Sequence, residues 1–374
     1  MEKLGINEII VYIMVIFMVI GAIDKCIGNK LGLGEKFEEG ITAMGALALS
    51  MVGVICLAPV LANILRPIVV PVFEFLKADP AMFAGSLLAN DMGGAPLAME
   101  LAKTEEAGLF GGLIIGAMMG PTIVFTIPVA LGIIQKEDQK FLATGVLSGV
   151  ITIPIGAFVG GLVAGFPIMD ILFNLIPIIL FAVVIAVLLF LFEDFMLKAF
   201  TIFGKIVVII ITIGLGLAII EKLTGFAPLE AAFGPNFALN PIEEGIAIVG
   251  DIAIVLAGAF PLVFVITKVF NKPLLKLGQL LKMNDVAAAG LIASLANSIP
   301  MFQMLKDMDN RGKIINVAFA VSAAFVFGDH LGFTAGFNKE MIFPMIVGKL
   351  VGGITAIFVA MFMANKAFSK EKNK

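Results

Sequence analysis

Long apolar runs constrain this chain more than anything else in it. Eleven lie near residues 6–28, 40–65, 81–102, 107–135, 140–165, 169–193, 200–221, 242–268, 284–305, 312–337 and 342–366. Each is close to the roughly 20 apolar residues that cross about 30 Å of hydrocarbon. Composition fits: 60% of the 374 residues are hydrophobic and 14% charged, with a mean hydropathy of +1.10, whereas soluble domains carry about 25% charged residues. The expectation is an all-α polytopic membrane protein, one integral membrane domain over residues 1–374.

Several classes fall by the same count. A net charge of −3 offers no basic stripe for nucleic acid, and two cysteines in a chain with 40 scattered glycines exclude a disulfide scaffold and a collagen-like repeat. Cys26 and Cys56 read as small hydrophobes. With no Trp and only Tyr12 as tyrosine, the usual interfacial aromatic belt is missing, so the 33 Phe are assigned mostly to packing. Lys3 before an apolar run resembles a signal peptide, but Asp24 and Lys25 stand where a cleavage site would be needed, and the run reads as a retained span.

Two runs are weak. Residues 81–102 contain Asn90-Asp-Met-Gly-Gly94, and 284–305 contain Ser294, Asn297, Ser298 and Pro300. They correspond through an internal repeat. Phe37-Glu-Glu-Gly-Ile41, with Gly45, Ala48 and Gly53, recurs as Ile242-Glu-Glu-Gly-Ile246, with Gly250, Ala253 and Gly258, at a constant offset of 205. Gly85 matches Gly290 at that offset, and Pro96 matches Pro300 at an offset shorter by one. The reading is repeat 1 over 1–166, a linker helix over 167–195 and repeat 2 over 196–374, with one re-entrant or broken segment per repeat.

Basic residues test the topology. If both weak segments enter and leave on one side, the cytoplasmic face collects 18 Lys and Arg against 6 outside, with Lys349 inside a span. That choice gives nine crossings, an outer N-terminus, a cytoplasmic C-terminus and copies of opposite orientation, a pattern found in secondary transporters. The tips of the weak segments, Asn90, Asp91 and Gly93 in one and Asn297 and Ser298 in the other, would then meet near the midplane. Irregular backbone at that depth is tolerated where protein or a water-lined cavity satisfies it.

Acidic residues at depth cost about 2.5–3.5 kcal/mol at a helix centre and are functional suspects. Asp91, Asp251 and Asp329 stand there, and neither Asp251 nor Asp329 has an acidic counterpart, since they align with Ala46 and Val124. Fixed anions favour a cationic passenger. Asp91 is read as the ammonium counter-ion, with Asp329 and Asp251 as secondary counter-ions or carriers of a coupling proton. His330, the sole histidine, is a candidate for gating or coupling or else a structural histidine; Lys349 is a candidate partner for one acid. Glu39 and Glu244 open their helices, where acids suit the dipole, and suit two vestibule entrances. Phe125 or Phe327 could face an ammonium. Gly112, Gly116 and Gly120, spaced by four, allow close helix approach. No metal-ligand spacing, phosphate loop or activated nucleophile is legible, so neither an enzyme nor a cofactor is expected.

At these residues the chain resembles the ethanolamine-utilisation permease family, EutH. The likeness runs through Gly5-Ile-Asn-Glu-Ile-Ile10, Phe37-Glu-Glu-Gly40 with Ala43-Met-Gly-Ala-Leu-Ala-Leu49, Asp91-Met-Gly-Gly94, Phe327-Gly-Asp-His-Leu-Gly-Phe333 and Met341-Ile-Phe-Pro-Met-Ile-Val-Gly348. The resemblance implies a plasma-membrane permease admitting ethanolamine for catabolism; the site residues rest on the reading above. Ethanolamine has four heavy atoms, which caps affinity near −6 kcal/mol, a Kd of tens of micromolar, weak enough for release. The alternatives are a cation-coupled carrier of another small amine and a non-transporting scaffold or sensor. The partners expected are ethanolamine and the lipid bilayer, with a homo-oligomer left open.

Overall fold

A computed structural model describes residues 5–372. Of the basic residues in the charge tally, Lys3 and Lys374 lie outside the described residues, as do the side chains of Lys272, Lys366, Lys370 and Lys372. The described residues are helical with no strand. Among the described residues, seven helical stretches are long and apolar enough to cross a bilayer, and an eighth qualifies as a pair bent by 40°.

The chain opens with α1 (Ile6–Cys26) and α2 (Leu33–Phe75). Asp24 fixes the turn between them, its buried carboxylate accepting from the backbone N–H groups of Leu31, Leu33 and Gly34, each at 2.9 Å. Leu33 and Gly34 are the first two residues of α2, whose N–H groups the helix cannot satisfy itself. At 43 residues α2 is about 64 Å long and runs through Pro59, Pro67 and Pro71. Pro59 has no N–H to give the Ile55 carbonyl; the side chain of Asn240 donates to that oxygen instead, at 3.3 Å.

Next come α3 (Ala81–Leu87), a single turn at Asn90–Met92 and α4 (Gly94–Leu101). The first weak run is therefore a helical hairpin. Its ends are tied together by Asp79, which accepts from the N–H of Ala81 at 2.8 Å and of Lys103 at 3.0 Å. The next run is a broken helix: α5 (Glu105–Leu109) widens into a π-helix over Phe110–Ile115, then α6 (Met119–Pro121), a second π-stretch at Thr122–Thr126 and α7 (Ile127–Ile133). Further along lie α8 (Gln139–Val150), α9 (Ile153–Val163), the connecting α10 (Ile168–Leu191), α11 (Glu193–Thr224) and the short α12 (Pro228–Phe233).

The later half begins with α13 (Ile242–Leu280), which ends 205 residues after α2. A second hairpin follows, α14 (Asp285–Ala296) and α15 (Ser298–Met304). Asn284, 205 residues beyond Asp79, ties its ends by donating to Asp309 at 2.8 Å and to the Asp307 carbonyl at 2.9 Å. Then come α16 (Asn310–Ala323), α17 (Asp329–Phe337) and α18 (Ile342–Lys372).

Packing follows the same offset. A methyl group on Gly40 of α2 would stand 2.4 Å from the Ala257 nitrogen of α13, and one on Gly245 of α13 would stand 3.0 Å from Val52 of α2. The two helices therefore cross antiparallel, with each contact repeated in reverse. Gly53 admits the Ile211 backbone of α11, and Gly258 admits the Met14 backbone of α1.

Two expectations need correction. Runs 107–135 and 312–337 read as plain spans, yet both break, at 116–118 and at 324–328. The breaks hold because each finds hydrogen bonds on a hairpin tip. The N–H of Asn90 donates to the Gly116 carbonyl at 2.7 Å, and those of Phe325 and Phe327 donate to the Ser294 and Leu295 carbonyls at 3.0 and 2.9 Å.

Candidate substrate site

The two breaks and the first hairpin tip converge on a small cavity of about 40 Å³. Ala89, Asp91 and Met92 come from the tip, Pro121 and Phe125 from the first broken helix, and Phe325, Asp329 and His330 from the second. The tip is set by Gly93, whose φ of 96° suits a residue without a Cβ. Its backbone lies so close to Val54 of α2 that an added methyl would come within 2.3 Å. Asp91 is held two residues before that turn. Asp329 is the first residue of α17, where the positive end of the helix dipole favours a carboxylate.

Aromatic rings wall the cavity. Phe125 and Phe325 meet edge-to-face at 5.4 Å, and Phe325 lies 5.2 Å from the His330 ring. Behind His330 sits Lys349 of α18, whose ammonium is buried, donates to the Ala117 carbonyl in the first break and lies 3.0 Å from Nδ1 of His330. One cation thus joins both broken helices.

A vestibule of about 220 Å³ shares Asp329 with the cavity and extends past Asn297 and Ala296 of the second tip to Lys36 and Glu39 of α2. Phe260, Phe264 and Thr267 of α13 line its wall. Glu39 pairs with Lys36 at 2.5 Å. The two tips therefore flank Asp329, one on the cavity side and one on the vestibule side.

Of the residues expected at the site, Asp91, Asp329 and His330 share the cavity, while Asn297 and Glu39 share the vestibule. Asn90 and Ser298 are fully buried, and neither the Asn90 amide nor the Ser298 hydroxyl has a hydrogen-bond partner among the described residues. Asn297 caps α15, accepting from the N–H of Ile299 at 2.8 Å. Asp251 lies on an exposed face of α13 and lines neither space. Glu244 is exposed at the start of α13, also away from both. Phe125 lines the cavity, whereas Phe327 packs against a separate apolar cluster that includes Met14 and Leu331. Lys349, a candidate partner for one acid, meets a carbonyl and an imidazole. Sequence reasoning missed Phe325, although an aromatic residue three before Gly328 was visible; its φ of 63° sets the direction of the ring, and no sequence pattern reports that angle.

Comparison with known proteins places the chain in a family. A family model described as "Ethanolamine utilisation protein, EutH" matches residues 6–363. The chain is 69% identical over 99% of its length to "Probable ethanolamine permease EutH" of Listeria monocytogenes, covering 98% of that protein. It is 50% identical over 97% of its length to the Escherichia coli protein of the same description, covering 97% of it. At 50% identity over 99% of the chain it also matches "Uncharacterized protein YxeR" of Bacillus subtilis, covering 98% of that protein. No solved structure matches the chain.

Proposed function

This chain belongs to the EutH family of ethanolamine utilisation proteins, and from that membership we propose that it carries protonated ethanolamine across the plasma membrane by alternating access. The observation that bears most weight is the charge at the cavity. Two carboxylates, Asp91 and Asp329, line it, and one amine, Lys349, stands behind it; with all three charged, one negative charge is left uncompensated. A single monovalent cation neutralises it. The rings of Phe125 and Phe325 add faces suited to an ammonium.

Size agrees with charge. The cavity of about 40 Å³ is small, of a scale suited to a compact solute. Ethanolamine has four heavy atoms.

The two halves are read as inverted repeats, 1–166 and 196–374, around a linker helix at 167–195. The reciprocal Gly40–Ala257 and Gly245–Val52 contacts support a twofold axis between α2 and α13, since a self-complementary contact is what such an axis produces. Access then alternates by exchange of roles between the repeats. The open vestibule runs along Phe260 and Thr267; their counterparts 205 residues earlier, Ile55 and Ala62, are 3% and 1% exposed. One path is open while its counterpart is shut. Glu39 guards the open mouth, and Glu244 would guard the other. By the distribution of basic residues, the Lys36 and Glu39 mouth is cytoplasmic, the N-terminus outside and the C-terminus inside.

Uptake of labelled ethanolamine into proteoliposomes tests the reading through Asp91→Asn. A carboxylate about 4 Å from an ammonium contributes about 4 kcal/mol at an effective dielectric of 20, and an asparagine hydrogen bond retains about 1 kcal/mol. The expected loss in uptake efficiency is therefore about 100-fold. Saturable uptake by the variant at the wild-type KM would overturn the assignment.

A further inference from the structure

The charged end of an amino alcohol is accounted for above, but its hydroxyl is not. We propose that His330 reads that hydroxyl, donating a hydrogen bond from Nε2, and that Lys349 is a positioning residue that fixes the imidazole in the tautomer able to do so. The proposal rests on the reading of the cavity as an amine site.

Elimination carries the first half. A hydroxyl is both donor and acceptor. Ionised Asp91 and Asp329 can accept its proton but offer its oxygen nothing. Of the other lining side chains, those of Ala89, Met92, Pro121, Phe125 and Phe325 have no N–H or O–H. Among the side chains that line the cavity, His330 alone can donate to the oxygen.

Geometry carries the second half. Neutral imidazole has one N–H and one bare nitrogen, and the bond made by one nitrogen sets the other. An ammonium has three donors and no acceptor. Lys349 stands 3.0 Å from Nδ1 and also donates to the Ala117 carbonyl; as an ammonium it makes Nδ1 the acceptor and puts the ring proton on Nε2. A proton on both nitrogens would set two cations against each other, and it would cancel the net negative charge before any substrate entered. The buried lysine thus serves as a fixed donor rather than as a counter-ion alone, and it sets the orientation of the substrate: ammonium toward the carboxylates, hydroxyl toward the imidazole.

The isosteric amine n-propylamine, with a methyl in place of the hydroxyl, separates this from charge recognition. Direct uptake of both labelled amines into proteoliposomes is expected to favour ethanolamine by about 10- to 100-fold in the wild-type protein, because a site built around a hydroxyl leaves its donor unpaired with the analogue. His330→Phe and Lys349→Met are expected to bring the two amines within about threefold, mainly by lowering ethanolamine uptake. His330→Gln, which keeps an amide N–H, is expected to restore part of the preference. Because His330 is the only histidine in the chain, ¹⁵N labelling of histidine gives one imidazole spectrum that reports the tautomer directly, even in a variant that transports poorly. The expected spectrum has Nδ1 bare and Nε2 protonated, and Lys349→Met is expected to release that preference. If the wild-type protein carries no ethanolamine, the transport reading fails. If it carries ethanolamine but Nδ1 bears the proton, or His330→Phe lowers both amines equally, the reading stands and this proposal falls.

Discussion

Gly120 is the position where one added carbon should disable the site without touching it. A Cβ there would stand 1.9 Å from the Leu88 carbonyl oxygen, 2.2 Å from its carbon and 2.7 Å from the Ala89 nitrogen. Close C···O contacts in proteins lie at about 3.3 Å, so Gly120→Ala requires roughly 1.4 Å of separation between the first broken helix and the first hairpin tip. The obstructing atoms are backbone, so no rotamer change relieves the clash. Asp91 lies three residues beyond Leu88 and must move with the tip. Overpacking of this kind costs about 1–3 kcal/mol of stability, while displacement of a binding group by about 1 Å costs about 100-fold in rate. The expected result is a protein that still folds in detergent, melts several degrees lower and takes up ethanolamine about 100-fold less efficiently. Gly132→Ala and Gly216→Ala are the controls, because a Cβ at either meets nothing within 4 Å; as helix substitutions they should be neutral or stabilise by up to about 1 kcal/mol. Equal uptake by Gly120→Ala and the two controls would refute the claim that the tip is held against the break.

Two further substitutions test what holds the scaffold. Asp24→Ala removes the acceptor of three backbone N–H groups at the start of α2 and should lower stability by about 2–3 kcal/mol, read as a lower melting temperature in detergent with unchanged uptake per folded molecule. Lys313 pairs with Asp138 at 2.5 Å, their side chains only 10% and 4% exposed. Lys313→Met strands that carboxylate and should cost about 3–5 kcal/mol, whereas the double variant with Asp138→Leu should recover most of the loss, since a buried pair is often replaceable by apolar groups. Melting of the two single variants and the double variant decides it.

What sequence could show here followed from what apolarity reports. Length and hydropathy locate α1, α2, α10, α11, α13 and α18, and the polar interruptions at Asn90-Asp91 and Asn297-Ser298 mark the two hairpins. Breaks in the helices over 107–135 and 312–337 carry no such mark. The residues at the first, Gly116-Ala-Met118, are as apolar as a span, and their backbone is satisfied by Asn90, which lies 26 residues earlier. Hydrogen bonding between segments is invisible to a count made within one. Asp251 illustrates a second blind spot. Its position along α13 matches the helix crossing, but the face it occupies turns away from the cavity, and a helix period alone does not say which face meets which neighbour.

Under the proposed repeat, scaffold and chemistry obey different symmetries. The glycine contacts at α2 and α13 repeat at the 205-residue offset, and under the alternating-access proposal two halves so related would exchange conformations at similar energy. The charged groups do not repeat: Asp329 aligns with Val124, His330 with Phe125, Asp91 with Ala296 and Lys349 with Thr144. Had duplication kept all four in both halves, the cavity would hold two donors and twice the charge, and a small amine could bind in two opposed orientations. Breaking the symmetry leaves one excess negative charge and one imidazole donor. On the alternating-access proposal a symmetric frame would supply two openings of comparable stability, and the asymmetric lining would present the same single binding geometry to both.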